Sequence, residues 1–269
     1  MHLLDSVTAS VSIADAVTVC ERFDSQINVT YDGRPSVYEN DSVTKAVVFL
    51  QKRFGNFGLD VAVEKHLPEG AGIGGSSADA AAAIVLADRL FDFVGRGLDV
   101  KEAAGEVGSD VPLMCNGGFC RLTGIGENIE RINGAEKMFN IVLYCGERGV
   151  STAECFKLFD EKCPSFAFSP SDNESIASAL KSGQARETAL LCGNALTEFA
   201  AEIDDSIYTR MEALKEAGAL NSFMTGSGSA CAGIFENKAA AECAAEKLNK
   251  KNCGKAFALV TVPNGIKII

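Results

Sequence analysis

The stretch "LPEGAGIGGSSADAAAAIV", residues 67–85, constrains the fold more than any other part of the chain. Glycine costs backbone entropy, so Gly70, Gly72, Gly74 and Gly75 crowded together mark a loop whose backbone has to come close to something. Directly after them, Ala80, Ala83, Ile84, Ala87 and Phe91 fall at i, i+3, i+4, i+7 and i+11, which is one face of a helix. Directly before them, "LDVAVEKHL" alternates Leu59, Val61 and Val63 with other residues, as a strand does. Strand, glycine loop and helix N-terminus therefore follow in succession. Such a loop is an anion cradle. Its glycines admit close approach, the first helical amides point outward, the helix dipole favours negative charge, and Ser76 and Ser77 add hydroxyl donors.

Gly70, Gly72 and Gly75 have the G-x-G-x-x-G spacing of dinucleotide sites, but that fingerprint belongs in a first βα turn with an acidic strand end about 20 residues on. Here several strands precede the loop, and "FDFVGRGLDVKEAAG" beyond it reads as helix end, turn and helix. No G-x-x-x-x-G-K-[ST] occurs either. What remains is P-x-x-x-G-x-G-x-S-S-A, with Pro68, Gly72, Gly74, Ser76, Ser77 and Ala78.

The net charge of -11, with no basic stripe, excludes a nucleic-acid partner and leaves a small phosphorylated ligand. No apolar run is long enough to span a bilayer, so no membrane role is expected. Ten scattered Cys without C-x-x-C read as reduced, mostly buried thiols of a cytoplasmic protein. With only His2 and His66, a His-rich zinc site or a Ser-His-Asp triad has little material.

Strands are expected in "SVTASVSIADAVTV" and "QINVTYDG", and a helix in "DSVTKAVVFLQKRFG". A shorter helix follows at "DVKEAAGEVG", with Asp99 and Glu102 in capping-box spacing, and "SDVPLMCNGGFCRLTG" turns into a strand. From about Met138 the pattern restarts: strand "FNIVLYC", a helix opened by Ser151, and two helical segments through "LKSGQ" and "IYTRMEALKEAG". Strand "NSFMT", turn "GSGS", strand "ACAGIF", helix "KAAAECAAEKLNK" and strand "AFALVTV" close the chain. The extra helices aside, this order is β-α-β-β-α-β, a ferredoxin-like arrangement. Two domains are expected, 1–136 and 137–269.

The glycine loop resembles the second motif of the GHMP kinase superfamily, P-x-x-x-G-L-G-S-S-A, and "MTGSGSACAGIF", residues 224–235, resembles its third. Within the superfamily, the chain resembles the kinases of 4-diphosphocytidyl-2-C-methyl-D-erythritol in "MHLLDSVTASVSIADAVTV", "GSDVPLMCNGGFCRLTGIGENIERI" and "GVSTAECFKLFD". The resemblance implies an α+β fold of two domains, an N-terminal ribosomal-S5-like α/β domain for ATP and a C-terminal ferredoxin-like domain, with the active site in the cleft between them. It implies ATP and Mg²⁺ as cofactors, a cytidine diphosphate-linked sugar alcohol phosphorylated at its 2-hydroxyl, and a monomer or homodimer. Other readings are a homoserine or mevalonate kinase, or a nucleotide-binding relative without catalysis.

By the resemblance, Asp110 in "GSDVP" is the catalytic base and also contacts substrate. Lys65, Pro68, Glu69, Gly70, Ala71, Gly72, Ile73, Gly74, Gly75, Ser76, Ser77 and Ala78 hold ATP. His2 and Phe156 meet the cytosine end, and Gly226, Ser227 and Gly228 hold substrate phosphates. Met1 stands where the family has Tyr, and Ala78 where a further Ser is common. The family's Pro-Ala-Lys-x-Asn-Leu strand, whose Lys belongs to the active site, has no match in the 269 residues. The resemblance implies that this strand is encoded upstream of Met1.

Overall fold

The computed structural model describes residues 2–36, 41–68, 71–135, 137–162, 172–251 and 253–269. In the first half the elements are β1 (Leu4–Ala9), β2 (Ala16–Arg22), β3 (Ile27–Tyr31), β4 (Arg34–Pro35), α1 (Ser42–Phe54), β5 (Gly58–Glu64), α2 (Gly75–Phe91), α3 (Val100–Val107), α4 (Val111–Asn116), β6 (Phe119–Gly124) and β7 (Asn128–Arg131). In the second they are β8 (Asn140–Cys145), α5 (Thr152–Lys162), α6 (Asn173–Ser182), α7 (Ala185–Leu191), α8 (Thr197–Ile203), α9 (Ser206–Glu216), β9 (Asn221–Met224), β10 (Cys231–Phe235), α10 (Lys238–Asn249) and β11 (Lys255–Val260).

Residues 6–19, expected as one strand region, divide between two sheets. β1 pairs with β6 in the order β1-β6-β7, and β2 pairs with β5 in the order β2-β5-β3-β4. The cause lies at Ser10 and Ser12, whose backbone turns aside to bond Gly118, Val260 and Val262. The second half forms an antiparallel sheet in the order β11-β8-β10-β9, so the first strand lies beside the last and the third separates it from the second. That is the expected ferredoxin-like arrangement.

The expected helix face is present: Ala80, Ala83, Ile84 and Ala87 of α2 are fully buried, against Val43, Val47 and Leu50 of α1 and Val61 and Val63 of β5. Small alanines let α2 lie close on α1, and the larger Leu, Ile and Val side chains each contribute about 1.5–3 kcal/mol through burial. Asp99 caps α3, accepting from the amides of Lys101 and Glu102 at 2.8 and 3.2 Å. Two departures concern short helices. Residues 111–116 form α4 instead of leading straight into a strand, and four helices, α6 to α9, stand where two segments were expected. A second core gathers Val142, Tyr144, Ile207, Leu214, Phe235 and Leu248. Among the described residues no helix is long and apolar enough to cross a membrane.

Candidate active site

Beyond β5 the chain runs through Lys65 and Pro68 into the glycine loop and α2. Gly74 occupies the cap position with φ 75°, in the left-handed region, and no side chain caps the helix. Among the described residues the first amides of α2 therefore have no side-chain cap, as an anion cradle requires. Ala71 is buried, and with Ile73 it packs on Leu143, Cys145, Ala230, Phe257 and Leu259 of the second half. The side chains of Ala71 and Ile73 thus anchor the loop and leave only their backbone to face a ligand. Glu69 and Gly70 lie outside the described residues.

Lys65, expected to meet the nucleotide, is ion-paired on both sides, to Asp15 and, at 2.7 Å, to Asp79 of α2. Its side chain is 17% exposed and the two carboxylates 2% each, so the ammonium is committed inside the protein. Burial opposes ionisation of Asp15, yet hydrogen bonds from Lys65, Leu67 and His66 outweigh it and hold the carboxyl below its ordinary value. At Asp79 burial wins, Lys65 offsets it only in part, and the carboxyl is pushed up to about 6.

The third motif is the turn between β9 and β10. Thr225 and Ala230 close it at 3.0 Å, and Asn194 braces it through the carbonyls of Met224 and Gly226 at 2.9 and 2.7 Å. Behind it lies Arg210, 5% exposed, which donates to the Ser229 carbonyl at 3.0 Å and pairs with Asp204 at 2.7 Å. Burial disfavours the charged form of Asp204, but Ser206 and Arg210 hold its carboxyl below the usual value. This rigid turn meets the glycine loop backbone to backbone. A Cβ on Gly72 would run into the Gly228 carbonyl oxygen, and one on Gly226 would lie 2.6 Å from the Gly72 carbonyl oxygen.

Asp110 sits exposed at the N-terminus of α4, without a side-chain capping bond, and accepts from Ser109 Oγ at 3.2 Å. One turn on, Met114 lays its terminal methyl against Gly74. Helix α4 thus carries the candidate base at its N-terminus and, one turn on, the side chain that packs on the glycine loop.

His2 and Phe156 come together. Their rings stack with centroids 4.5 Å apart, and His2 Nε2 bonds Asp160 Oδ1 at 2.6 Å. Thr152, on the same helix as Phe156, shares a 2.7 Å hydrogen bond with Ser227 of the third turn. His66, left as a structural residue, is exposed. Sequence reasoning missed Asp15, Asp79, Thr152, Asp160, Asn194 and Arg210. Asp15 carried a signal as a carboxylate set among alternating apolar residues, and Thr152 and Asp160 lie within the stretch 149–160 that carries the family resemblance.

Residues 41–118 match the family model for the GHMP kinases N terminal domain, and residues 167–254 that for GHMP kinases C terminal. Over 252 residues the chain is 33% identical to the 4-diphosphocytidyl-2-C-methyl-D-erythritol kinase of Desulfitobacterium hafniense strain Y51, covering 93% of this chain and 85% of that protein. The chain belongs to the GHMP kinases. A second relative of this GHMP kinase, the enzyme of the same name from Pelotomaculum thermopropionicum, is 31% identical, with 87% and 80% covered. The crystal structure of a 4-(cytidine 5'-diphospho)-2C-methyl-D-erythritol kinase matches with a TM-score of 0.79 at 25% identity, covering 97% of this chain and 91% of that one. A homoserine kinase from Cytophaga hutchinsonii shares the fold, with a TM-score of 0.76 at 17% identity and 98% and 91% covered. The expected two-domain GHMP kinase fold is the fold this kinase has.

Proposed function

We propose that this GHMP kinase transfers the γ-phosphoryl group of ATP to the 2-hydroxyl of 4-diphosphocytidyl-2-C-methyl-D-erythritol. The observation that carries the reading is the meeting of the two glycine loops, Gly72 against Gly226 and Gly228, beside helix α4, whose Met114 packs on Gly74 and whose N-terminus bears the exposed carboxylate of Asp110. The amides and hydroxyls of residues 72–77 cradle the ATP phosphates, and the turn at residues 226–228 receives those of the substrate. Asp110 takes the proton of the 2-hydroxyl while that oxygen attacks the γ-phosphorus. The new O–P bond forms as the bond to the β-phosphate bridging oxygen breaks, and ADP departs. The kinship to relatives bearing that name, about 30% identical over most of the chain, supports the choice of acceptor.

Mg²⁺ offsets phosphate charge in such transfers. No group of three or more His, Cys, Asp or Glu among the described residues could hold a resident ion. Mg²⁺ fits here as an ion carried in by the nucleotide, in keeping with its preference for phosphate oxygens and water.

Asp110→Asn keeps size and hydrogen bonding but accepts no proton. Turnover should fall on the order of a hundredfold or more while both dissociation constants stay within about twofold. Unchanged turnover would make Asp110 a turn residue. Turnover of homoserine or mevalonate in preference to the cytidylyl compound would assign a different acceptor.

A further inference from the structure

Beneath the glycine loop lies a charged cluster that the transfer chemistry does not use. Lys65 Nζ stands between the carboxylates of Asp15 and Asp79, tying together the segment before β2, the end of β5 and the second turn of α2. A Cβ on Gly75, the first residue of α2, would lie 3.8 Å from that ammonium, so the cluster sits directly under the phosphate cradle. Two carboxylates against one ammonium leave a negative charge in excess, sealed from water below a site built for a polyanion.

The two acids are not equivalent. Asp15 accepts from Lys65 and from the amides of His66 and Leu67, at 2.5 and 2.7 Å, a donor set that suits a carboxylate. Asp79 accepts from Lys65 at 2.7 Å, so the two carboxylates hold the same ammonium. From β3, Tyr31 faces the charge of Asp79, but its hydroxyl is committed to Asp41 at 2.8 Å. Burial already favours the protonated form of Asp79, whereas Asp15 is held ionised.

We propose that Asp79 is a proton-linked support of the nucleotide site: when ATP phosphates settle on residues 72–77, Asp79 takes up a solvent proton and the cluster becomes neutral. Lys65 stays protonated and paired with Asp15, so it positions the loop and does not ligate phosphate. The proposal rests on the reading of the loop as the ATP site. The sign follows from linkage. A polyanion above disfavours the Asp79 carboxylate, so the complex keeps its proton to higher pH than the free protein, and ATP affinity falls as pH rises above about 6.

The test is titration calorimetry of the full chain with magnesium ATP at pH 7, in two buffers of different ionisation enthalpy. The parent's binding heat should depend on the buffer, reporting uptake of a substantial fraction of a proton. Asp79→Asn, which keeps the shape and the acceptor for Lys65 but cannot titrate, should lose that dependence and at pH 8 bind ATP roughly three- to tenfold more tightly than the parent. A parent whose heat is the same in both buffers overturns the proposal without recourse to any variant. So does an Asp79→Asn protein that takes up as many protons as the parent. A parent that binds no ATP in either buffer overturns the nucleotide reading of the loop, and this inference with it.

Discussion

At Gly72 and Gly74 an added methyl group would meet quite different obstacles. Both residues have positive φ, 68° and 75°, so either alanine variant carries backbone strain of about 1 kcal/mol. At Gly74 the obstacle is the flexible end of Met114, which can swing away. At Gly72 it is the Gly228 carbonyl, part of a turn braced by Asn194 and Arg210, and backbone cannot yield without parting the two loops. Gly72→Ala should therefore lower the melting temperature and weaken ATP binding distinctly more than Gly74→Ala, by thermal denaturation and calorimetry. Equal effects would mean that the contact between loops is not maintained in solution. The glycines were legible in the sequence because their conformational demand is local. The burial of Asp79 was not, because in "SSADAAAA" it reads as an ordinary helix residue until Lys65 is known to lie beside it.

Helix α5 links the two ends of the proposed substrate site. Thr152, Phe156 and Asp160 recur every four residues on one face, spanning about 12 Å at 1.5 Å per residue. The first touches Ser227 of the phosphate turn, the second stacks on His2, and the third bonds His2 Nε2. His2→Ala and Phe156→Ala should each raise KM for the cytidylyl substrate by roughly tenfold, the scale of a lost aromatic pair, and leave ATP affinity unchanged. Because the rings touch, the double variant should lose less than the product of the single effects. ATP affinity falling in step with KM would show general damage instead. The sequence made Phe156 more plausible as a core residue than as a ligand; in the fold it is half-buried and stacks on His2, 154 positions away along the chain. Helix α4 escaped notice for another reason: six residues give too little length for a helical period to show.

Across the whole molecule, the tail after β11 runs back onto the first half. Arg131 donates to the Pro263 carbonyl at 2.5 Å, a Cβ on Gly265 would lie 3.0 Å from the Met114 carbonyl oxygen, and Ile266 packs into the core beside α2. The tail thus backs α4, which carries Asp110 at its other end. Removing residues 263–269 should lower the melting temperature by roughly 5 °C, as expected for about 2 kcal/mol of lost burial in a chain of this size, and should reduce turnover as α4 loosens. A shortened chain that melts and turns over like the parent would make the tail dispensable. What the sequence by itself determined was local: the glycine loop, the face of α2, the cap of α3 and the order of elements in the second half, since each depends on residues a few positions apart. The tertiary structure alone decided that β1 and β2 enter different sheets, that Lys65 pairs with an acid 50 residues earlier, and that Gly72 rests against Gly228. Those outcomes depend on where the chain returns after long excursions, and neither residue periodicity nor turn chemistry carries that information.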